Sequence, residues 1–117
     1  MIKKLFPHFP VTPAKRLEDL EIKNKDLLIN ATQTGLKETD PSPVPETELH
    51  KDLFVYDLIY NPPETNLLKA AKKCGAGTSN GLDLLLYQGA LAFEHFTGRP
   101  APVEIMRQAL REGVEKP

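Results

Sequence analysis

Two short runs constrain this chain most: Asp26 to Thr32 (DLLINAT), apolar before it turns polar, and Leu53 to Leu58 (LFVYDL), rich in β-forming side chains. Neither alternates strictly between apolar and polar residues. A strand with one wet face alternates, whereas a strand covered on both faces, as in a parallel sheet, is apolar almost throughout. Both runs therefore read as buried strands of a parallel sheet. Helices must lie between or after them, because parallel neighbours need crossover connections.

The segment Thr65 to Gly75 (TNLLKAAKKCG) supplies one such helix. Thr65 is the expected N-cap, Leu67, Leu68, Ala71 and Cys74 form the inner face, the lysines favour the C-terminal dipole, and Gly75 is the stop. Ala76 to Asn80 is at most a short strand. A long helix begins near Gly81 and runs to about Thr97, ended by Gly98 and Pro100. A last helix spans Pro102 to about Glu112, with Val103, Met106 and Leu110 on one stripe and Gly113 beyond its end. Upstream the signal is weaker: Met1 to Phe6 reads as the tail of a helix, Phe9 to Thr12 as a short strand, and Arg16 to Leu20 as a turn or two of helix. Between the strands, Gln33 to Asp52 holds Pro41, Pro43 and Pro45, and only Glu46 to His50 has helical tendency. So long an irregular crossover is expected to be functional or mobile, or else an ordinary surface loop.

With 15 basic and 16 acidic side chains among 117 residues, the formal net charge is −1. A field of one sign that would draw nucleic acid or an anionic membrane is missing, so neither partner is expected. Met1 to Phe6 is too quickly broken by Pro7 and Pro10 for a secretory signal, and no apolar run approaches the ~18 residues that span a bilayer. The expected location is cytoplasmic. Cys74 is the single cysteine, which excludes an internal disulfide and reads most simply as a small buried thiol; His8, His50 and His95 have no metal-ligand spacing, so no metal is expected.

The helix within Asn80 to Phe96 (NGLDLLLYQGALAFEHF) sets one amide, Gln88, into an otherwise nearly continuous apolar run. In such a run the amide is expected to be buried and must then find backbone, water or a ligand as partner, at a cost of about 1–3 kcal/mol otherwise. Leu84 lies one turn before Gln88 on the same stripe, with Gly81 at the helix entrance. In open α/β sheets, ligands bind outside the carboxyl ends of the strands. Here those ends carry Asn30-Ala31-Thr32, Tyr60-Asn61-Pro62 and Asn80-Gly81. Each is a good turn on its own terms. Together they mix hydrogen-bonding and small residues as a crevice for a polar ligand requires.

The order INAT, a proline-rich loop, VYDLIYNPPETNLLKAAKKCG, NGLDLLLYQGALAFEHFTG and PVEIMRQAL resembles the C-terminal part of the shikimate dehydrogenase family, from about Asp26 to Leu110. The fold this implies is α/β: a truncated Rossmann-like parallel sheet of about three to four strands with flanking helices and two C-terminal helices. The activity it implies is NADP-dependent interconversion of 3-dehydroshikimate and shikimate. By the resemblance, Asn30, Ala31 and Thr32 belong to a loop running along the cofactor, and Leu58 to a cofactor-contacting position. Tyr60 matches a tyrosine that reaches the substrate. Gly81 would offer its backbone to the nicotinamide amide, Leu84 stands where the family usually has a methionine on the nicotinamide ring, and Gln88 matches a glutamine that binds a substrate hydroxyl.

The chain lacks other parts of such an enzyme. No GxGxxG-like loop occurs, since the GAG at Gly75 to Gly77 follows a helix instead of a strand. The family's catalytic lysine and aspartate belong to a substrate domain that nothing here matches, so no catalytic residue is expected in this chain. It reads as the C-terminal fragment of a nucleotide-binding domain over residues 1–117, inactive alone, whether through truncation, proteolysis, a split gene or an internal start. Asp83 departs from the family's Asp-Gly-Leu-Gly pattern, where a glycine is usual. It favours the helix N-terminus by ~0.3–1 kcal/mol, or else crowds an anionic ligand. Two alternatives stand beside the first reading. One is a related enzyme acting on quinate or using NAD. The other is a non-catalytic assembly module, a homodimer formed through an exposed sheet edge or apolar helix face.

Overall fold

Backbone pairing joins the predicted strands in parallel register. In the computed structural model, which describes residues 2–5 and 7–115, β1 (Leu27–Asn30), β2 (Phe54–Asp57) and β3 (Gly77–Ser79) form a three-stranded sheet in the order β1-β2-β3. Leu28 pairs with Val55 and Val55 with Thr78, while Leu27 pairs with Phe54 and Phe54 with Gly77. Side chains alternate between faces along each strand, so these rows lie on opposite sides of the sheet. The α-helices are α1 (Ile2–Leu5), α2 (Asn66–Lys73), α3 (Leu82–Thr97) and α4 (Val103–Glu115). Met1 and Phe6, the ends of the first predicted helix, lie outside the described residues.

Helix α2 begins and stops as its sequence demands. Thr65 caps it, its hydroxyl oxygen accepting the Leu68 N–H at 3.3 Å, and Gly75 leaves it at φ +81°. Its inner residues Leu67, Leu68 and Ala71 are buried with Val55, Leu53, Val44, Leu49 and Ile22 in one cluster. The Gln33 to Asp52 crossover is therefore no idle surface loop, because its own Val44 and Leu49 help fill that core. It holds one turn of 3-10 helix at Glu46–Glu48, and the Asn66 side-chain amide at the start of α2 donates to the Asp40 and Glu38 carbonyls at 2.6 and 3.2 Å. Further along it, the Asp40 carboxylate accepts the Gly35 and Lys37 N–H groups at 3.0 and 3.1 Å. Cys74, expected buried, is half-buried at the edge of the cluster.

Three expectations are corrected. The sheet is covered on one face only among the described residues: Leu27 is 54% exposed, Ile29 53% and Phe54 42%. The near-continuous apolar sequence of the strands thus includes a row that this chain does not itself bury. Phe9 to Thr12 forms no strand; Pro7, Pro10 and Pro13 deny that stretch regular backbone donors. Helix α4, expected to end near Glu112, continues through Gly113 to Glu115, where a glycine without positive φ merely lowers helix propensity; Arg16 to Leu20 holds the expected helical turn, of 3-10 type, at Leu17–Leu20.

The loop carries a pH dependence of defined sign. Hydrogen bonds from the Lys37 and Gly35 backbones hold the Asp40 carboxyl below its ordinary value of 3.8. A depressed folded pKa means that its stabilisation is fully present above pH 3.8 and is lost as pH falls through the lower folded value. Asp40→Asn should therefore unfold at lower urea than the unmodified chain at pH 6, with the difference closing as the pH drops below 3.8. A difference that is independent of pH would exclude the charge as its source.

Candidate functional site

The carboxyl ends of β1 and β2 open onto a depression of about 400 Å³ lined by Ala31, Thr32, Leu36, Leu58, Ile59, Tyr60 and Asn61. Four of the residues singled out in the sequence, Ala31, Thr32, Leu58 and Tyr60, thus line one surface. Asn30 lies beneath them, 5% exposed, and its side chain ties the loop together. Its Oδ1 accepts the Thr32 hydroxyl at 2.7 Å and the Thr32 N–H at 3.1 Å, while its amide nitrogen donates to the Thr34 carbonyl at 3.1 Å. Asn30 is therefore a support for the rim, and Ala31 and Thr32 are its exposed part.

Gly81, buried at the entrance of α3, packs behind Leu58, one of the lining residues. A Cβ there would overlap the Leu58 carbonyl, so only glycine lets the loop after β3 cross the end of β2 this closely. Its N–H donates to the Ile59 carbonyl at 3.2 Å and its carbonyl accepts the Leu85 N–H at 3.1 Å. What remains for a ligand is the second lone pair of that carbonyl. The loop is held from behind by Asn80, whose amide donates to the Pro63 carbonyl at 2.9 Å and whose Oδ1 accepts the Leu82 N–H at 3.0 Å.

Leu84 and Gln88 do share a stripe of α3, as spaced, but both are exposed and neither lines the depression. The expectation of a buried amide is therefore wrong for this chain. Buried side-chain polar atoms without a partner are absent among the described residues. The physical reason is that α3 is largely open: Leu86 and Ala90 are buried, while Leu84, Tyr87, Leu91, Phe93 and Phe96 are exposed. An apolar composition signals burial only where another element is present to cover it.

Asp83, the departure at the helix start, turns towards α4. Its carboxylate accepts from Arg107 Nη1 at 2.6 Å, and Arg107 Nη2 donates to the Tyr87 hydroxyl at 3.2 Å. The bond to Tyr87 raises the Arg107 pKa, burial opposes it, and Asp83, Tyr87 and Glu104 add to it. With Asp83 61% exposed, the pair is screened by solvent and adds little to stability. It joins α3 to α4, which also lie close at Gly89, where an added Cβ would come within 3.4 Å of Met106 Cε. Neither sequence expectation for Asp83, a charge favouring the helix N-terminus or one crowding a ligand, included this partner, which lies a helix away.

Two residues that sequence reasoning did not single out complete the site's foundation. Asp57, 0% exposed, ends β2 and accepts the Asn30 amide at 3.2 Å, the Ile59 N–H at 3.1 Å and the Thr65 hydroxyl at 2.7 Å. Thr65, named only as a cap, is thus also a donor to the sheet. The signal was present in the sequence as an acidic residue inside an apolar strand, which is affordable only when fully paired. Groups of acidic, histidine and cysteine side chains able to hold a metal are absent among the described residues, and none of their helices is long and apolar enough to cross a membrane.

Comparison with known proteins places this geometry. A sequence profile described as the Shikimate 5'-dehydrogenase C-terminal domain matches residues 81–111. The chain is 50% identical over 94 residues to a shikimate dehydrogenase (NADP(+)) of Methanopyrus kandleri, covering 79% of this chain and 32% of that protein. A crystal structure of a shikimate dehydrogenase in complex with NADP+ superposes with a TM-score of 0.79 at 43% identity, over 84% of this chain and 35% of that one. A quinate dehydrogenase from Corynebacterium glutamicum in complex with NAD superposes at 0.76 and 35% identity, over 82% and 34%. The chain spans about a third of the length of the curated relatives it matches.

The Gly81 contact yields a direct test. Gly81→Ala forces β2 and α3 apart, and overpacking of this kind costs about 1–3 kcal/mol. The expected result in urea unfolding is a loss in that range, together with displaced Leu58 and Ile59 amide resonances. Unchanged stability would show that the close crossing is not required.

Proposed function

We propose, for a chain related in sequence and fold to the shikimate dehydrogenases, that it forms the cofactor-facing part of an NADP-dependent oxidoreductase that interconverts 3-dehydroshikimate and shikimate. The observation that carries this reading is the depression at the ends of β1 and β2, where Ala31, Thr32, Leu58 and Tyr60 meet beside the Gly81 crossing. Its place at the carboxyl ends of parallel strands is where open α/β sheets bind ligands. The residues present fit a dinucleotide in part: backbone and hydroxyl acceptors face the opening, and Leu58 gives an apolar wall. NADP, when bound, supplies or accepts the hydride.

In this reading Asn30 holds the loop, Ala31 and Thr32 run along the nucleotide, Leu58 packs on it, and the Gly81 carbonyl accepts from the carboxamide. Leu84 faces the nicotinamide ring, and Tyr60 and Gln88 reach the substrate. The exposure of Leu84 and Gln88 agrees with this role, since a side chain that meets a ligand must be open without it. The contribution of the chain is orientation. Holding the reacting carbons in line lowers a barrier by about 7–11 kcal/mol in the best intramolecular cases.

As residues 1–117 hold no pyrophosphate-binding loop and no residue placed as acid or base, the purified chain should give no NADP-linked oxidation of shikimate. Turnover by the chain alone would overturn that assignment. Fused behind the remaining part of the Methanopyrus kandleri relative, it should yield an enzyme in which Gln88→Ala lowers kcat/KM for shikimate by about tenfold, the worth of one hydrogen bond, with KM for NADP+ little changed. An effect confined to NADP+ would contradict the role given to Gln88.

The quinate dehydrogenase with NAD among the structural neighbours keeps quinate and NAD as the second reading; in the same fusion, a higher kcat/KM for quinate with NAD would favour it. Pairing between two copies through an apolar helix face is supported separately by the exposed Leu84, Leu91 and Phe96 of α3. Sedimentation velocity across protein concentration distinguishes a dimer from a monomer.

A further inference from the structure

An aspartate side chain that meets only donors dictates the direction of every hydrogen bond built outward from it. Asp57 is such a residue, with the Asn30 amide and Ile59 N–H on Oδ1 and the Thr65 hydroxyl on Oδ2. The NH2 of Asn30 must face Asp57, so its Oδ1 faces outward to the rim, where it takes both the hydroxyl and the N–H of Thr32. With its proton directed to Asn30, the Thr32 oxygen accepts the Thr34 N–H at 3.2 Å. Each link leaves the next a single orientation.

We infer that Asp57 is the positioning residue of the Asn30 to Thr32 rim and sets its polarity, so that Thr32 offers a ligand a hydrogen-bond acceptor and no donor. The inference rests on the proposed reading of the depression as a nucleotide site. The ligand groups that suit such a rim are donors, such as the hydroxyls of a ribose. Asp57 lies beneath the rim and acts on a ligand only through Asn30 and Thr32. On its other side the same carboxyl group holds the cap of α2, so the rim and the crossover helix are set from one point.

The test is amide hydrogen exchange, read by NMR on the 117-residue chain without any ligand. In Asp57→Ala, exchange at Thr32 and Thr34 should rise about tenfold more than at Val55, because local opening is separated from global unfolding. Asp57→Asn keeps an oxygen for Asn30 and Ile59 and can turn its NH2 to the Thr65 oxygen, so it should restore both amides to within about threefold of the original. A general loss of stability would instead raise exchange at Val55 in step. Should Asp57→Ala not fold, Asn30→Ala breaks the same series one link further out and carries the same expectation. Exchange at Thr32 and Thr34 that is unchanged, or that only parallels Val55, overturns the inference. Since no ligand is present, that failure is distinct from a failure of the proposed function, which is read in turnover by the fusion.

Discussion

The arrangement depends on one buried carboxyl group. Asp57 is taken wholly out of water and meets three donors drawn from three parts of the chain: Asn30 at the end of β1, Ile59 in the loop after β2, and Thr65 at the start of α2. Burying such a group unpaired would cost several kcal/mol, so the strand ends and the helix cap must arrive together for any of them to be stable there. This is why the crevice at the carboxyl end of the sheet is built from side-chain hydrogen bonds, while the opposite part of the same core is built from Val55, Leu53, Leu67 and Ala71. The polar end positions; the apolar end supplies most of the stability.

A second constraint shapes what the chain leaves open. The apolar row Leu27, Ile29 and Phe54 and the outward side chains of α3 are uncovered by any described residue, although their composition belongs to an interior. Phe54 lies over Gly77, where a Cβ would come within 2.6 Å of its ring. The exposed row is thus locally ordered. The same openness leaves Leu84 and Gln88 accessible along one helix face.

Much of this was legible in the sequence, for physical reasons that differ by element. The strands, the Thr65 cap and the Gly75 and Gly98 stops follow from local signals that tertiary structure did not override. Ala31, Thr32 and Tyr60 were identified together because strand ends in parallel sheets converge, while Leu58 came only from the family resemblance. Three things were hidden. The burial of Gln88 was read from composition, which does not register whether another element covers the helix. The ordering of the Gln33 to Asp52 crossover depends in part on the Asn66 amide bonding the Asp40 carbonyl, far away in sequence. The partners of Asp57 and Asp83 lie on other elements, and a single sequence gives no spacing rule for such pairs.

The central claim, that Asp57 couples the rim after β1 to the cap of α2, is tested most directly by a double-mutant cycle between Asn30→Ala and Thr65→Val in urea unfolding. The hydrogen bonds of these two side chains meet at Asp57, on its Oδ1 and Oδ2 respectively. Coupling through it predicts a non-additive free energy of about 0.5–3 kcal/mol. Additivity to within about 0.5 kcal/mol would mean that the two ends of the site are set independently and would contradict the account.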